Sequence, residues 1–320
     1  MSKDTNHDIS LSILKEILKI RRENSEHTPH LDAQEKLEQI KAIQLPRILS
    51  FVNANQPIEF ILPAFPAKSP SPKKVLGCLP DMAEKISLTF LNELCTRITR
   101  LYKPGAKLII CSDGRVFGDL IRASDDRISA YQVGIRRIIS GLTTNHLSLF
   151  SLEDFIPFAK HASSFDSIRL HLIDQFAEPI EEVKQKLLTE EGGTLLYRAV
   201  TRFMLEDGLI PSDNRSRSIL QKDAKKRALG VIQVSRAWAA LLDNQFPDAI
   251  RLSIHPQPVN SLKIGVHMIP TVDSWLTPWH GVAVKIGGKF ELMKRSVAES
   301  LGGRIVILDQ QQSHYEIDLP

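Results

Sequence analysis

Five short stretches of the 320-residue chain carry side chains able to do chemistry. SDGRVFGDL (112–120) places Ser112, Asp113, Gly114, Arg115 and Asp119 directly behind the apolar run AKLII (106–110). An aspartate can act as a general base or hold an ammonium group, and an arginine can clamp a phosphate or carboxylate through two parallel N–H bonds. An Asp–Arg pair that only closes a turn would use the same residues. Arg215, Arg217, Lys222 and Lys225, with Lys226 and Arg227, open a long helical pattern just after the turn PSDN (211–214). Cations at a helix start oppose its dipole. A bound anion would resolve that conflict with the free backbone N–H groups; a solvated charged face is the plainer alternative. SIHPQP (253–258) ends a strand with His255, held extended before Pro256. WLTPWHGV (275–282) offers Trp279 and His280, which would suit an aromatic pocket with a polar tip or equally a structural aromatic corner. LMKR (292–295) adds Lys294 and Arg295 as a further anion candidate.

These stretches need elements to hold them. Helical spacing runs over 9–22 and 31–53, the second expected to break near Pro46. IEFILPAFP (58–66) reads as a strand, followed by AKSPSPKKVLGCLP (67–80), whose composition fits a mobile lid, a linker or a plain surface loop. Residues 81–102 form an amphipathic helix with Asp81 as N-cap. Strands at 107–112 and 146–152 flank a helix at 126–140, and helical segments follow at 165–176, 179–190, 194–206 and 215–243. Strand patterns then dominate: 249–256, 262–270, 281–286, a hairpin around Gly287-Gly288, and 304–309 after a short helix at 295–303. The alternation predicts an α/β fold, Rossmann-like, with a mostly parallel central sheet, flanking helices and an added C-terminal antiparallel portion, all in one domain over 1–320. In such a sheet, ligands bind outside the carboxyl ends of the strands, where SDGR and SIHPQP fall.

Composition narrows the function. A net charge of +4 is too small to argue for nucleic acid, yet leaves room for a local basic pocket. Cys78, Cys95 and Cys111 form no CxxC pair, which disfavours zinc and fits a reducing cytoplasm. The polar N-terminus and the absence of a long apolar run predict a cytoplasmic protein with no membrane span. No GxGxxG follows a predicted strand, so a nicotinamide enzyme is disfavoured.

SDGRVFGDL, LSIHPQP, TPWHGVAV and GKFELMKR, in this order, together with VLGCLPDMAE (75–84) and RSRS…AKKRA (215–228), resemble the pyoverdine/dityrosine biosynthesis proteins, a family of isonitrile synthases. The resemblance covers residues 10–316. It implies a reaction that joins the α-amino group of L-tyrosine or L-tryptophan to the ketone carbon of ribulose 5-phosphate, keeps that carbon and releases the rest of the sugar by carbon–carbon cleavage. It implies no metal or organic cofactor, and a downstream iron/2-oxoglutarate oxygenase as pathway partner. Matched to that chemistry, Asp113, Asp119, His255 and His280 are the catalytic candidates. Ser112, Gly114, Arg115, Arg215, Arg217, Lys222, Lys225, Trp279, Lys294 and Arg295 are the substrate-binding candidates, the 215–227 helix being expected to hold the sugar phosphate. Another α/β enzyme of phosphorylated metabolites, or a non-catalytic sensor of an anionic ligand, would share the anion sites without the amine chemistry.

Overall fold

The structure, a computed structural model, describes residues 3–22, 31–160, 163–190, 192–208, 214–273 and 276–318. Elements are numbered in chain order. Strands β1 (Ile58–Pro63), β2 (Ala106–Ser112), β3 (Leu147–Ser151), β4 (Ile250–Ser253) and β5 (Ile264–Gly265) form one parallel sheet in the order β3-β2-β1-β4-β5. The chain winds outward from β1 first through β2 and β3, then through β4 and β5. The switch point therefore lies between β1 and β4, and the crevice at their carboxyl ends is where such sheets bind ligands.

Parallel strands are buried on both faces, so they need apolar residues on both. In β1, Phe60 and Leu62 point into one core with Ile13 of α1 (Lys3–Leu18), Ile48 of α2 (Ala33–Asn53), Leu91 of α3 (Met82–Leu101) and Ile135 of α5 (Asp125–Ser140). Ile61 and Cys111 face the opposite core, with Leu172 of α7 (Phe165–Phe176) and Trp238 of α10 (Arg217–Gln245). The connection from β3 to β4 is a helical excursion, α6 (Ile156–Ala159), α7, α8 (Ile180–Thr189), α9 (Gly193–Gly208) and α10. No described helix is long and apolar enough to cross a membrane.

Helix α3 starts where the sequence places it: the Asp81 side chain accepts from Ala83 N, and Glu84 returns a bond to the Asp81 backbone. Helix α2 does not break at Pro46, which lies inside it on the solvent face. Proline there removes one hydrogen bond, and water can take up the freed carbonyl.

The added C-terminal portion is a second sheet of β6 (Val282–Ile286), β7 (Lys289–Met293), β8 (Arg304–Leu308) and β9 (Gln311–Ile317), in the order β7-β6-β9-β8, with α11 (Arg295–Ser300) against it. It is mixed rather than purely antiparallel, because β6 pairs β9 in parallel. Gly287 and Gly288 have φ of 54° and 80°, the backbone a tight two-residue hairpin requires.

Candidate active site

The carboxyl ends of β1 and β2 are pressed together. Phe65, just past β1, has φ of 58°, a left-handed backbone that costs free energy in a bulky residue and is found where a site constrains the chain. Ser112 Oγ donates to Phe65 O at 2.9 Å. A Cβ on Gly114 would lie 1.9 Å from Pro66 O, so this glycine serves close approach of the β1 loop rather than an unusual φ. Between these contacts sits Asp113, half-buried, with Oδ1 shielded from solvent and without a hydrogen-bond partner among the described residues. Burial pushes its carboxyl up to about 7, against a smaller opposing pull from its own backbone N–H.

The rest of the SDGR stretch, which turns into the single-turn helix α4 (Gly114–Phe117), serves other ends. Arg115 is buried and turned toward α5: it donates to Asp125 Oδ1 at 2.6 Å, to Ser129 Oγ at 2.7 Å and to Glu153 at 3.4 Å, and lies over the Phe165 ring. Its donors are directed to Asp125, Ser129 and Glu153 and not to the strand-end crevice where an anionic substrate is expected. Asp119 is exposed in a short 3₁₀ turn (Gly118–Ile121), lining a shallow outer groove with Phe117, Arg169 and Gln233. The structure does not bring it together with Asp113 at the strand end.

The basic helix start is also turned away. Ser216 caps α10, and Arg215, Arg217, Lys222 and Lys225 are exposed. The cations that face inward are Arg227, which bonds Asp223 and the Leu120 and Met204 carbonyls, and Arg122, which bonds Asp223 and Gly208 O. Asp213 and Trp275 lie outside the described residues. Lys294 pairs with Asp273 at 3.2 Å. Arg295 bonds Glu299 and donates to Pro72 O and Val75 O at 2.8 and 3.0 Å.

Those last two bonds fasten the 67–80 segment, which is packed rather than laid loosely on the surface: Ala67, Lys68, Ser69, Ser71 and Val75 are buried. Trypsin is therefore expected to spare Lys73 in the wild-type chain and to cut there in an Arg295→Ala variant. Early cleavage at Lys73 in the wild type would show that these bonds do not hold the segment.

Lys68 is the centre of a cluster that the sequence did not reveal. Its ammonium lies 2.8 Å from both Asp81 and Glu84 and donates to Pro278 O at 2.9 Å. Tyr131 OH donates to Glu84 at 3.0 Å. Burial works to neutralise Lys68, but Asp81 and Glu84 outweigh it and hold the ammonium above its usual range. Burial pushes Glu84 up to about 8 despite the pull of Lys68. The next residue, Ser69, donates its backbone N–H to Trp279 O at 2.9 Å and its hydroxyl to Asp207 at 2.9 Å.

Trp279 and His280 thus hang from the β1 loop. Trp279 is buried with its ring 5.2 Å from that of Phe65, forming an aromatic wall beside the strand ends. His280 has Nδ1 3.0 Å from Thr277 Oγ1 and Nε2 3.4 Å from Asp207 Oδ2, with Phe203 edge-on at 5.1 Å. Both of its ring nitrogens are engaged. Asp207, brought in by α9, also accepts from Lys74 at 2.7 Å. Burial opposes its ionisation, yet His280 and Lys74 hold its carboxyl well below the usual range.

His255 stands at the end of β4, across the switch point. Its ring reaches solvent while protein surrounds it closely enough that burial, with Arg22, His280 and Lys263, pushes it down to about 4; a ring in the wall of a concave cleft has both properties. The crevice at the strand ends is thus bordered by Ser112, Asp113 and Gly114 on one side and His255 on the other, with Trp279 and His280 tied to the β1 loop. Arg22 and His267 adjoin His255 through Gly265, Asp207 bridges Ser69 and His280, and Lys68 is buried behind the loop with Asp81 and Glu84. Arg22 and Asp207 each follow another charge, Arg21 and Glu206, in helical stretches, and only their burial singles them out.

The sequence profile of the pyoverdine/dityrosine biosynthesis proteins matches residues 48–306. An L-tyrosine isonitrile synthase from Pseudomonas aeruginosa is 54% identical over 305 residues, 95% of this chain and 93% of that one. An L-tryptophan isonitrile synthase from Fischerella ambigua is 42% identical over 96% of this chain and 94% of its own. The crystal structure of the PvcA protein from Pseudomonas aeruginosa superposes with a TM-score of 0.90 at 53% identity, covering 97% of this chain and 99% of that chain. With the profile, the near full-length relatives and the shared fold in agreement, the chain belongs to the isonitrile synthases of the pyoverdine/dityrosine biosynthesis protein family.

Proposed function

We propose that this enzyme converts the amino group of L-tyrosine to an isonitrile, with ribulose 5-phosphate as the one-carbon donor and carbon–carbon cleavage of the sugar as the releasing step. The observation that carries the reading is Asp113: a carboxyl raised to about 7 at a parallel strand end, beside the Phe65–Trp279 wall. An amino acid arrives as an ammonium ion and must lose a proton before its nitrogen can attack a ketone. A carboxylate poised near neutral pH is suited to take that proton. The aromatic wall would take the ring. Tyrosine is put before tryptophan because relatives named for tyrosine are 54% and 51% identical to this chain, against 42% and 40% for those named for tryptophan. The setting is a cytoplasmic enzyme whose product passes to a separate iron/2-oxoglutarate oxygenase.

The test is to incubate pure protein with ribulose 5-phosphate and each amino acid and to identify the product by mass. Isonitrile from tyrosine at higher kcat/KM than from tryptophan is the expected result; a preference for tryptophan, or no product with this donor, refutes the corresponding half. The exposed cations of α10 enter here as a control. Arg217→Ala and Lys225→Ala are expected to change KM for the donor by less than about threefold, because one charge-assisted contact would be worth on the order of 1.5–3 kcal/mol, or at least about tenfold. A tenfold rise would return the phosphate to that helix.

A further inference from the structure

We propose that Arg22, His255 and His267 form the subsite for the phosphate group of the donor, at the carboxyl ends of β4 and β5 and across the cleft from Asp113. The proposal rests on the reading that the donor is a phosphorylated ketose. Three chain segments meet there. Arg22 N donates to Gly265 O at 2.8 Å, and His267 N donates to Ile20 O at 2.8 Å. A Cβ on Gly265 would lie 2.7 Å from Arg22 O and 2.8 Å from His255 O, so only a glycine lets these segments close up. Arg22 is buried, 4% exposed as a residue; its guanidinium donates to Ile254 O and approaches His267 Nδ1 at 3.5 Å.

Among the described residues the charge balance of this corner is positive. Arg22, His280 and Lys263 each disfavour protonation of His255, and Arg22 acts on His267 in the same sense. The carboxylate that acts on Arg22 is Asp273, which is shared with Lys294 at 3.2 Å. Gathering cations around a buried guanidinium raises its free energy, and a dianion at their centre would lower it.

Phosphate fits this corner better than the amino-acid carboxylate for a geometric reason. Neighbouring strands are about 4.8 Å apart, so β2 and β4, with β1 between them, stand roughly 10 Å apart. The carboxylate of an α-amino acid is on the same carbon as its amine. If the amine is at Asp113, that carboxylate is held at the β2 side. In ribulose 5-phosphate, three carbons and an ester oxygen separate the ketone carbon from phosphorus, enough to carry the phosphate across to His255.

The experiment follows the histidine ring signals of the full chain by NMR, His255 and His267 being assigned from His255→Gln and His267→Gln. Inorganic phosphate, ribulose 5-phosphate and L-tyrosine are titrated separately, and affinities are measured by calorimetry in parallel. Both phosphates are expected to move the two signals saturably and to raise the His255 titration midpoint, with L-tyrosine leaving both in place. Arg22→Gln should weaken both phosphates by at least about tenfold, the loss of one charge-assisted bond, and leave tyrosine affinity unchanged. Should Arg22→Gln fail to fold, the two histidine variants carry the same comparison. Phosphate affinity unchanged in the variants, or tyrosine affinity falling in its place, overturns the subsite. Phosphate binding at His255 without conversion of ribulose 5-phosphate supports the subsite and overturns the donor. Conversion with unaltered phosphate affinity in the variants does the reverse.

Discussion

Asp113→Asn is expected to turn over at least about a hundredfold more slowly than the wild-type chain, since a positioned general base contributes roughly 10²–10⁴ in rate. Its melting temperature is expected not to fall. Asn keeps the shape of the side chain, and Oδ1 has no hydrogen-bond partner among the described residues to lose. The alternative, an Asp113–Arg115 pair closing a turn, is excluded by the position of Arg115, whose partners are Asp125, Ser129 and Glu153. The pH dependence follows from the same carboxyl. Burial raises its folded pKa from 3.8 to about 7. Between those values the folded chain keeps a proton that the unfolded chain releases, so this group lowers stability as pH rises through that window. Asn cannot ionise, so the variant should melt no earlier than the wild type at pH 8. Activity runs the other way: kcat/KM should decline below about pH 7 as the base is protonated, and that limb should vanish in the variant. A variant that melts early yet turns over near the wild-type rate would make Asp113 a structural residue.

The sequence was informative where local rules govern. Asp81 capped its helix, Gly287-Gly288 made its hairpin, and β1 to β5 appeared where short apolar runs alternate with helices. It misled where partners are distant. Arg115 and Asp113 are two residues apart, but Arg115 is claimed by α5, whose position no local pattern encodes. Cations at the start of α10 read as an anion site because the dipole disfavours them, and the structure shows Ser216 capping that end with Arg217, Lys222 and Lys225 exposed. Strand β9, QQSHYEI, is rich in polar residues without strand periodicity, and pairing with β6 and β8 makes it a strand. Lys68 was hidden in a proline- and lysine-rich loop that reads as solvent-exposed, and only the tertiary fold shows that this one lysine of the run is buried.

That burial makes Lys68→Met the substitution with the largest expected effect on stability. Removing one partner from a buried ion pair leaves uncompensated charge and typically costs about 3–5 kcal/mol. Methionine matches the length of the stem but leaves Asp81 and Glu84 side by side without a cation and frees Pro278 O. A fall in melting temperature on the order of 10 °C is expected. Glu84→Gln should cost far less. Its amide oxygen can accept from Lys68 and from Asp81 N, and its NH₂ can donate to the Tyr131 oxygen, reversing the bond that Tyr131 OH makes to Glu84. The two variants should also differ in their response to pH. In the wild type, burial raises Glu84 from 4.5 to about 8, so the folded state holds its proton and stability falls as pH rises through that interval. Glu84→Gln should flatten this dependence. Without Lys68, Glu84 binds its proton more tightly still, so Lys68→Met should come closest to wild-type stability in the acid range and fall furthest behind in the alkaline range. Because Lys68 and Ser69 support Pro278 and Trp279, the surviving folded fraction of Lys68→Met should bind the aromatic amino acid more weakly while phosphate binding at the β4 end is retained. Thermal melts of both variants from pH 5 to 9 are the measurement. A Lys68→Met protein as stable as the wild type at pH 8 would mean that the cluster contributes nothing to holding the loop that carries the aromatic wall.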